Sequence, residues 1–211
     1  MPDDQPPPYP RRILVLFAHP TQERSEVIAP MARAAANLPG VTVVDLYGRY
    51  PGFAIDVDRE QAHLRTHDAV VFLHPLYWYS TPSILKEWQD LVLEHGFAYG
   101  SSGTALHGKV FFSALSAGGP EAAYCAAGYN HFTIRELLQP LEQTASLCGM
   151  FYLPPFALFG ARTAVEDGRL EGHLQAWVRL LTALRDDRLD LEAAQRLPVL
   201  NGALDTVDRE G

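Results

Sequence analysis

The sequence predicts an α/β protein: a doubly wound, five-stranded parallel sheet of order 2-1-3-4-5 with helices on both faces. Three observations point there. Apolar runs such as "ILVLFAHP" (13–20) and "DAVVFLHP" (68–75) are continuous rather than alternating, as in strands covered on both sides. Segments of helical period lie between them. Strand and helix alternate along most of the chain, which implies βα units joined by crossovers.

The elements follow in order. Residues 1–10 hold five prolines (Pro2, Pro6, Pro7, Pro8 and Pro10), so 1–11 read as a flexible, Pro-rich lead-in. "RILVLFAHP" (12–20) is the first strand. "SEVIAPMARAAANL" (25–38) has helical spacing, with Ser25 as N-cap and Pro39-Gly40 as stop; Pro30 fits if the helix proper begins near it. "VTVVDLY" (41–47) is the second strand, and "VDREQAHLRTH" (57–67) a short polar helix with a solvated face. "DAVVFLHP" (68–75) is the third strand. "PSILKEWQDLVLEHG" (82–96) is a helix that opens on Pro82 and closes at Gly96. "GKVFFSALSAGG" (108–119) gives the fourth strand and a small-residue loop. "FTIRELLQPLEQTASLCG" (132–149) is helical with a break or kink at Pro140. "MFYLPPFALFG" (150–160) is a fifth strand whose Pro154-Pro155 belongs at its end or at a sheet edge. "EDGRLEGHLQAWVRLLTALRDD" (166–187) closes the domain, expected over 12–187. Residues 188–211 form a polar tail without firm periodicity.

Several functions are disfavoured at this level. The formal net charge is -8 over 211 residues, against a broad nucleic-acid or anionic-membrane surface. No apolar run approaches the ~20 residues of a membrane helix, and the N-terminus lacks the apolar core of a signal peptide, so a cytoplasmic protein is expected. Cys125 and Cys148 are isolated thiols, neither a disulfide framework nor a CxxC motif. His63 and His67 are spaced i, i+4, but no HExxH surrounds them and no metal site is expected. GxSxG, P-loop and GxGxxG motifs are absent. Asp45, Asp56 and Asp58 sit at strand ends and turns, where Asp is common.

In this topology ligands bind beyond the carboxyl ends of the strands, where the strand order reverses. Three segments should therefore line one crevice: 18–25, 74–82 and 116–124. The first leads into a helix whose free N–H groups favour an anion, with Ser25 and Thr21 as hydroxyl donors and His19 as an imidazole; alternatively Ser25 merely caps. The second is unusual, because it places Leu76, Tyr77, Trp78 and Tyr79 where turn residues are the rule. A hydrophobic cluster, a subunit contact and a shelf for a flat heterocycle all fit, the shelf using the aromatic faces together with the backbone amides of Leu76 to Trp78. The third holds Gly118 and Gly119 just past a strand, permitting a close backbone approach or simply a tight turn. Tyr124 and His131 follow near the same edge as candidate proton or hydrogen-bond donors.

These residues together resemble the flavodoxin-like NAD(P)H:quinone oxidoreductases, and among them the ancillary flavoproteins of glutathione-gated Kef potassium-efflux systems. The similarity rests on "ILVLFAHP" (13–20), "LYGRYPGFAIDVDREQ" (46–61), "DAVVFLHPLYWYSTPSILKEWQD" (68–90), "HGFAYGSSGTALHGK" (95–109), "SAGGPE" (116–121) and "LQPLEQTASLCGMFYLPPF" (138–156). It extends roughly from Arg12 to Leu184.

The resemblance implies a bound flavin, FMN or alternatively FAD. His19 and Ser25 would approach its phosphate. Pro75, Leu76, Tyr77 and Trp78 would cradle the ring system, and Ser116, Ala117, Gly118 and Gly119 its pyrimidine edge. Tyr124 matches a tyrosine that lies over the flavin, and the histidine that partners it falls at or next to Asn130-His131. Ile28 stands where many relatives carry an Asn near the phosphate. The implied activity is two-electron, ping-pong hydride transfer from NAD(P)H to a quinone or similar electrophile, in a homodimer with the flavin near the subunit seam. Two alternatives are a regulatory subunit bound to a potassium-efflux transporter at the inner face of the membrane, and a one-electron shuttle. The shuttle lacks support in the first loop, which has no hydroxyl- and glycine-rich phosphate motif.

Overall fold

Alternate residues of each central strand feed two separate core layers. In the computed structural model, which describes residues 9–201 together with Leu204 and Asp208, strand β1 (Ile13–Phe17) sends Ile13, Val15 and Phe17 to one layer and Leu14 and Leu16 to the other. Helix α1 (Ile28–Ala36) returns the chain to β2 (Val41–Asp45), and α2 (Leu46–Arg49) and α3 (Val57–Thr66) lead to β3 (Ala69–Pro75). Helix α4 (Ser83–Val92) precedes β4 (Val110–Ser116), and α5 (Ile134–Leu137) and α6 (Gln139–Leu147) precede β5 (Phe151–Tyr152) and β6 (Phe156–Leu158). Helices α7 (Arg169–Arg185) and α8 (Leu191–Gln195) follow.

The sheet order is β2-β1-β3-β4-β5, all pairs are parallel, and β6 also pairs with β4. Helices α1 and α7 cover one face, where the Trp177 indole donates to the Met31 carbonyl at 3.0 Å. Helices α3, α4 and α6 cover the other. Residues buried on both faces need no polar alternation, which is why the strands read as continuous apolar runs.

Some boundaries differ from the sequence expectation, each for a physical reason. Helix α1 begins at Ile28, not Ser25. Pro30 therefore lies in its first turn, where no intrahelical N–H bond is lost, while the Ser25 hydroxyl oxygen accepts from the Ala29 N–H at 3.0 Å. The second strand stops at Asp45, whose carboxylate accepts from the Gly48 N–H and caps α2. Helix α3 was expected to be solvated on its polar face, yet Glu60 is 0% exposed. It accepts from the Tyr50 hydroxyl at 2.8 Å and the Trp88 indole at 2.9 Å, and pairs with Arg49. His67 is likewise buried, with the Thr42 hydroxyl 2.9 Å from its Nε2. Pro140 opens α6 after a break at Leu138.

The fifth strand is divided. Pro154 and Pro155 cannot donate to a ladder, so β5 and β6 bond to β4 separately on either side of them. The Pro-rich lead-in lies largely outside the described residues. After Asp187, where the sequence supports no firm assignment, the chain forms α8 and buries Leu189, Leu200 and Leu204. It closes over the sheet edge: Leu200 N–H donates to the Pro155 carbonyl at 2.9 Å, and the Asn201 amide both accepts from the Ala157 N–H and donates to its carbonyl, at 2.8 and 2.9 Å.

Candidate functional site

The strand register brings the three predicted loops together. Pro75 pairs with Ser116, and Ser116 with Leu158, so β3, β4 and β6 end on one rung. Beside it opens a cavity of about 320 Å³, lined by His19, Arg24, Ser25, Ile28, Pro75, Leu76, Tyr77, Ser116, Gly118 and Arg162, among others.

The loop after β1 supplies polar groups. His19 is only 8% exposed. The Thr21 N–H donates to its Nδ1 at 3.1 Å, so the neutral ring carries its proton on Nε2, where it is a donor without a protein partner among the described residues. Burial pushes the His19 pKa below its ordinary value, against the Thr21 backbone hydrogen bond. Tyr77 meets the ring edge-on at a centroid distance of 6.1 Å. Ser25 uses an oxygen lone pair on Ala29 but keeps its O–H to give away. The Gln22 amide donates to Asp45, anchoring the loop to the end of β2. Ile28 is buried and offers no side-chain donor.

The loop after β3 is a tight hairpin. Tyr77 and Ser80 exchange two backbone hydrogen bonds, each of 3.0 Å, around Trp78 and Tyr79. Both central residues have positive φ, 48° and 62°. A type I′ turn requires that sign at both positions and usually fills them with Asn and Gly. Two aromatics there are strained, and such strain gathers at ligand clamps and switch regions. Trp78 is 94% exposed. The expected row of free amides is reduced: Leu76 N–H is committed to the Ser116 carbonyl at 2.8 Å and Tyr77 N–H to Ser80, leaving that of Trp78 without a partner among the described residues.

The loop after β4 is laced to the segment after β6. Ala117 N–H donates to Leu158, Gly160 N–H to Gly119, and Ala161 N–H to Ala117, at 2.8, 2.8 and 3.0 Å. The two glycines have different reasons to be glycine. A Cβ on Gly119 would lie 2.6 Å from the Tyr129 hydroxyl and 3.4 Å from the Tyr124 ring. A Cβ on Gly118 would meet only Arg162, at 3.7 Å, so its surface faces the cavity.

Tyr124 is half-buried, its ring 5.3 Å from that of Phe159. Burial raises its phenol pKa and the neighbouring Tyr129 adds to this, while hydrogen bonding from the Gly119 backbone and from the Asn130 side chain opposes it. The Tyr79 hydroxyl donates to Asn130 Oδ1 at 3.2 Å. His131 is exposed at φ 62°, and its side chain makes no hydrogen bond or ring contact among the described residues. Of the Asn130-His131 pair, Asn130 is therefore the neighbour of Tyr124.

Sequence reasoning passed over Arg24 and Arg162. Arg24 adjoins Ser25 and was visible as a cation at a helix entrance; Arg162 arrives from beyond β6 with no local signal. Among the described residues, no group of three or more His, Cys, Asp and Glu side chains is placed to hold a metal, and no helix is long and apolar enough to cross a membrane.

A family model described as "Flavodoxin-like fold" matches residues 11–181. The glutathione-regulated potassium-efflux system ancillary protein KefG of Serratia proteamaculans is 45% identical over 173 residues, which cover 81% of this chain and 94% of that protein. The solved structure of general stress protein 14 from Treponema denticola, in complex with FMN, is 37% identical with a TM-score of 0.77, covering 82% of this chain and 99% of that one. An NADPH-quinone reductase from P. pentosaceus is 32% identical with a TM-score of 0.72, covering 80% and 96%.

Proposed function

The chain belongs to the flavodoxin-like fold family, and from that membership and the geometry of its crevice we propose that it is an FMN-dependent NAD(P)H:quinone oxidoreductase. The observation that carries the reading is the cavity beside the Pro75–Ser116 rung, where His19, Ser25, Arg24 and Arg162 lie next to Pro75, Leu76 and Tyr77. The donor set suits a flavin mononucleotide. Nε2–H of His19, the Ser25 hydroxyl, the start of α1 and the guanidinium groups of Arg24 and Arg162 would hold the phosphate, the two arginines supplying donors where Ile28 has none and outweighing the single carboxylate of Glu26 that also lines the cavity. Pro75, Leu76, Tyr77 and Trp78 would bear on the ring face, and Ser116 to Gly119, with the free surface of Gly118, on its polar edge.

Bound there, the flavin would supply the two-electron centre that takes a hydride from NAD(P)H and passes it to a quinone. The chain does the rest. Tyr77 would cover the ring on the side of the β3 loop. Tyr124 lies at the glycine edge, where its hydroxyl can hydrogen-bond the oxygen being reduced; His131 sits on the exposed rim of the same loop. Use of one crevice by both substrates in turn would give alternating turnover. Initial rates with NADH or NADPH against a simple quinone should give parallel double-reciprocal lines. Converging lines, or nucleotide oxidation that never depends on quinone, would contradict the reading.

Trp78, Tyr129 and Phe132 give the chain an exposed aromatic surface on the segments that follow β3 and β4. A homodimer would cover it with a second copy, and sedimentation should then give twice the chain mass. A regulatory role is the second reading, favoured by similarity along 94% of the length of KefG. It predicts co-purification with a potassium-efflux transporter at the inner face of the membrane; failure to co-purify when both are produced together would remove it.

A further inference from the structure

Of the two arginines on the cavity, Arg162 is carried by a loop and steadied by no side-chain partner. Its guanidinium makes no ion pair or hydrogen bond among the described residues. Its backbone lies in a turn in which the Thr163 N–H donates to the Gly160 carbonyl at 3.2 Å. On the inner side the turn is tied to the loop after β4, through Gly160 N–H to Gly119 and Ala161 N–H to Ala117. On the outer side stands Arg169, the first residue of α7. Its guanidinium donates to the Phe159 carbonyl at 2.7 Å, the Gly160 carbonyl at 3.0 Å and the Thr163 hydroxyl at 3.3 Å. Asp167 pairs with the same guanidinium at 2.8 Å and accepts from the Thr163 hydroxyl at 3.1 Å. Gly160 admits this approach: its φ is 60°, and a Cβ there would lie 3.2 Å from Arg169 Nη2.

We infer that Arg169 is a positioning residue that braces the 159–163 turn and so presents Arg162 to the phosphate of the flavin. Arg169 does not itself line the cavity; its donors are engaged by Phe159, Gly160, Thr163 and Asp167. Its charge is answered by Asp167. What it supplies is order. An arginine on a loose loop loses conformational freedom when it meets an anion, and that loss subtracts from affinity. A turn already fixed to a long helix has lost it beforehand. Helix α7 is such an anchor, since it buries Trp177, Leu180, Leu181 and Leu184. A lysine at 169 would keep the charge, but it presents its donors from one point and cannot span two carbonyls and a carboxylate as the planar fork does. The inference rests on the proposed flavin reading for the identity of the anion, but not for the bracing of the turn.

The test is a double-mutant cycle on the full chain, read as the ratio of FMN to riboflavin affinity. Arg169→Ala should weaken FMN binding about fivefold, the scale of one hydrogen bond, and leave riboflavin binding as it was. Arg169→Lys should weaken FMN nearly as much, which separates bracing from charge. In an Arg162→Ala background neither change at Arg169 should weaken FMN further, because the side chain it positions is gone. Amide hydrogen exchange gives a readout without ligand: Gly160 and Ala161 should exchange faster in Arg169→Ala than in the parent. Additive losses from Arg169→Ala and Arg162→Ala overturn the inference. So does parent-like FMN affinity in Arg169→Lys, an equal loss of FMN and riboflavin, or unchanged exchange at Gly160 and Ala161. If exchange quickens while the parent protein binds FMN no better than riboflavin, the bracing stands and the flavin reading falls.

Discussion

His74 and His173 are the residues whose chemistry is most altered by the fold. His74 is fully buried between β3 and β4, its Nδ1 donating to the Pro75 carbonyl at 3.0 Å and its Nε2 3.4 Å from the Ser113 hydroxyl. Burial drives its pKa down to about 4, against the Pro75 hydrogen bond. His173, stacked on Phe156, is also lowered to about 4, by burial first and Arg169 second. A histidine depressed in the folded state takes up its proton more readily when unfolded. The stability it contributes is therefore complete above its unfolded pKa of ~6.5 and is lost as pH falls toward 4, by about 3 kcal/mol for each ring. Urea denaturation between pH 7 and 4 should show this fall, and His74→Gln should make it shallower. An unaltered slope in the variant would show that His74 does not titrate as described. His74 also precedes Pro75 directly, so the same ring steadies the strand end from which the aromatic hairpin departs.

That hairpin is the element in which local preference and function diverge most. Trp78 and Tyr79 hold the positive-φ positions of a two-residue turn, at a cost of roughly 1 kcal/mol or more each. Replacing the pair by Asn-Gly should raise the unfolding free energy by about 1–2 kcal/mol and weaken flavin binding. A double variant no more stable than the parent would show that the turn carries no strain. The C-terminal segment makes the opposite exchange: Asn201 pairs with both backbone groups of Ala157 on β6. Asn201→Ala should lower stability by about 1–3 kcal/mol, because it leaves a backbone donor and acceptor unpaired; chemical denaturation with no change would contradict the clamp. The central strands were legible because apolar runs need only their own residues to announce themselves. Glu60 was not, since Tyr50 and Trp88 neutralise its burial from elsewhere in the chain. The tail was not, because its buried leucines are too widely spaced to form a period. Strand ends converge by topology, so Pro75, Leu76, Tyr77, Ser116 and Gly118 could be expected beside one cavity, while Trp78, Ala117 and Gly119 do not line it. Arg162 depends on a tertiary approach, and the choice between Asn130 and His131 on a single residue of register.

For the molecule as a whole, two arginines face one cavity in a chain of net charge -8. Glu26 also lines the cavity, so the two arginines leave it a small excess of positive charge, which would favour a compact anion there over the rest of the acidic surface. Arg24→Ala and Arg162→Ala should each weaken FMN binding by about tenfold, the strength of one charge-assisted hydrogen bond, and leave riboflavin binding nearly as it was. Added salt should weaken FMN more than riboflavin, since ions screen the phosphate contact and not the ring contact. The central claim, that this crevice holds a phosphorylated flavin, is tested most directly by titrating the purified, flavin-stripped protein with FMN and following flavin fluorescence. The account predicts saturation at one FMN per chain, with quenching by the adjoining aromatic rings and much weaker binding of riboflavin. No saturable binding of FMN, or equal affinity for FMN and riboflavin, would contradict it.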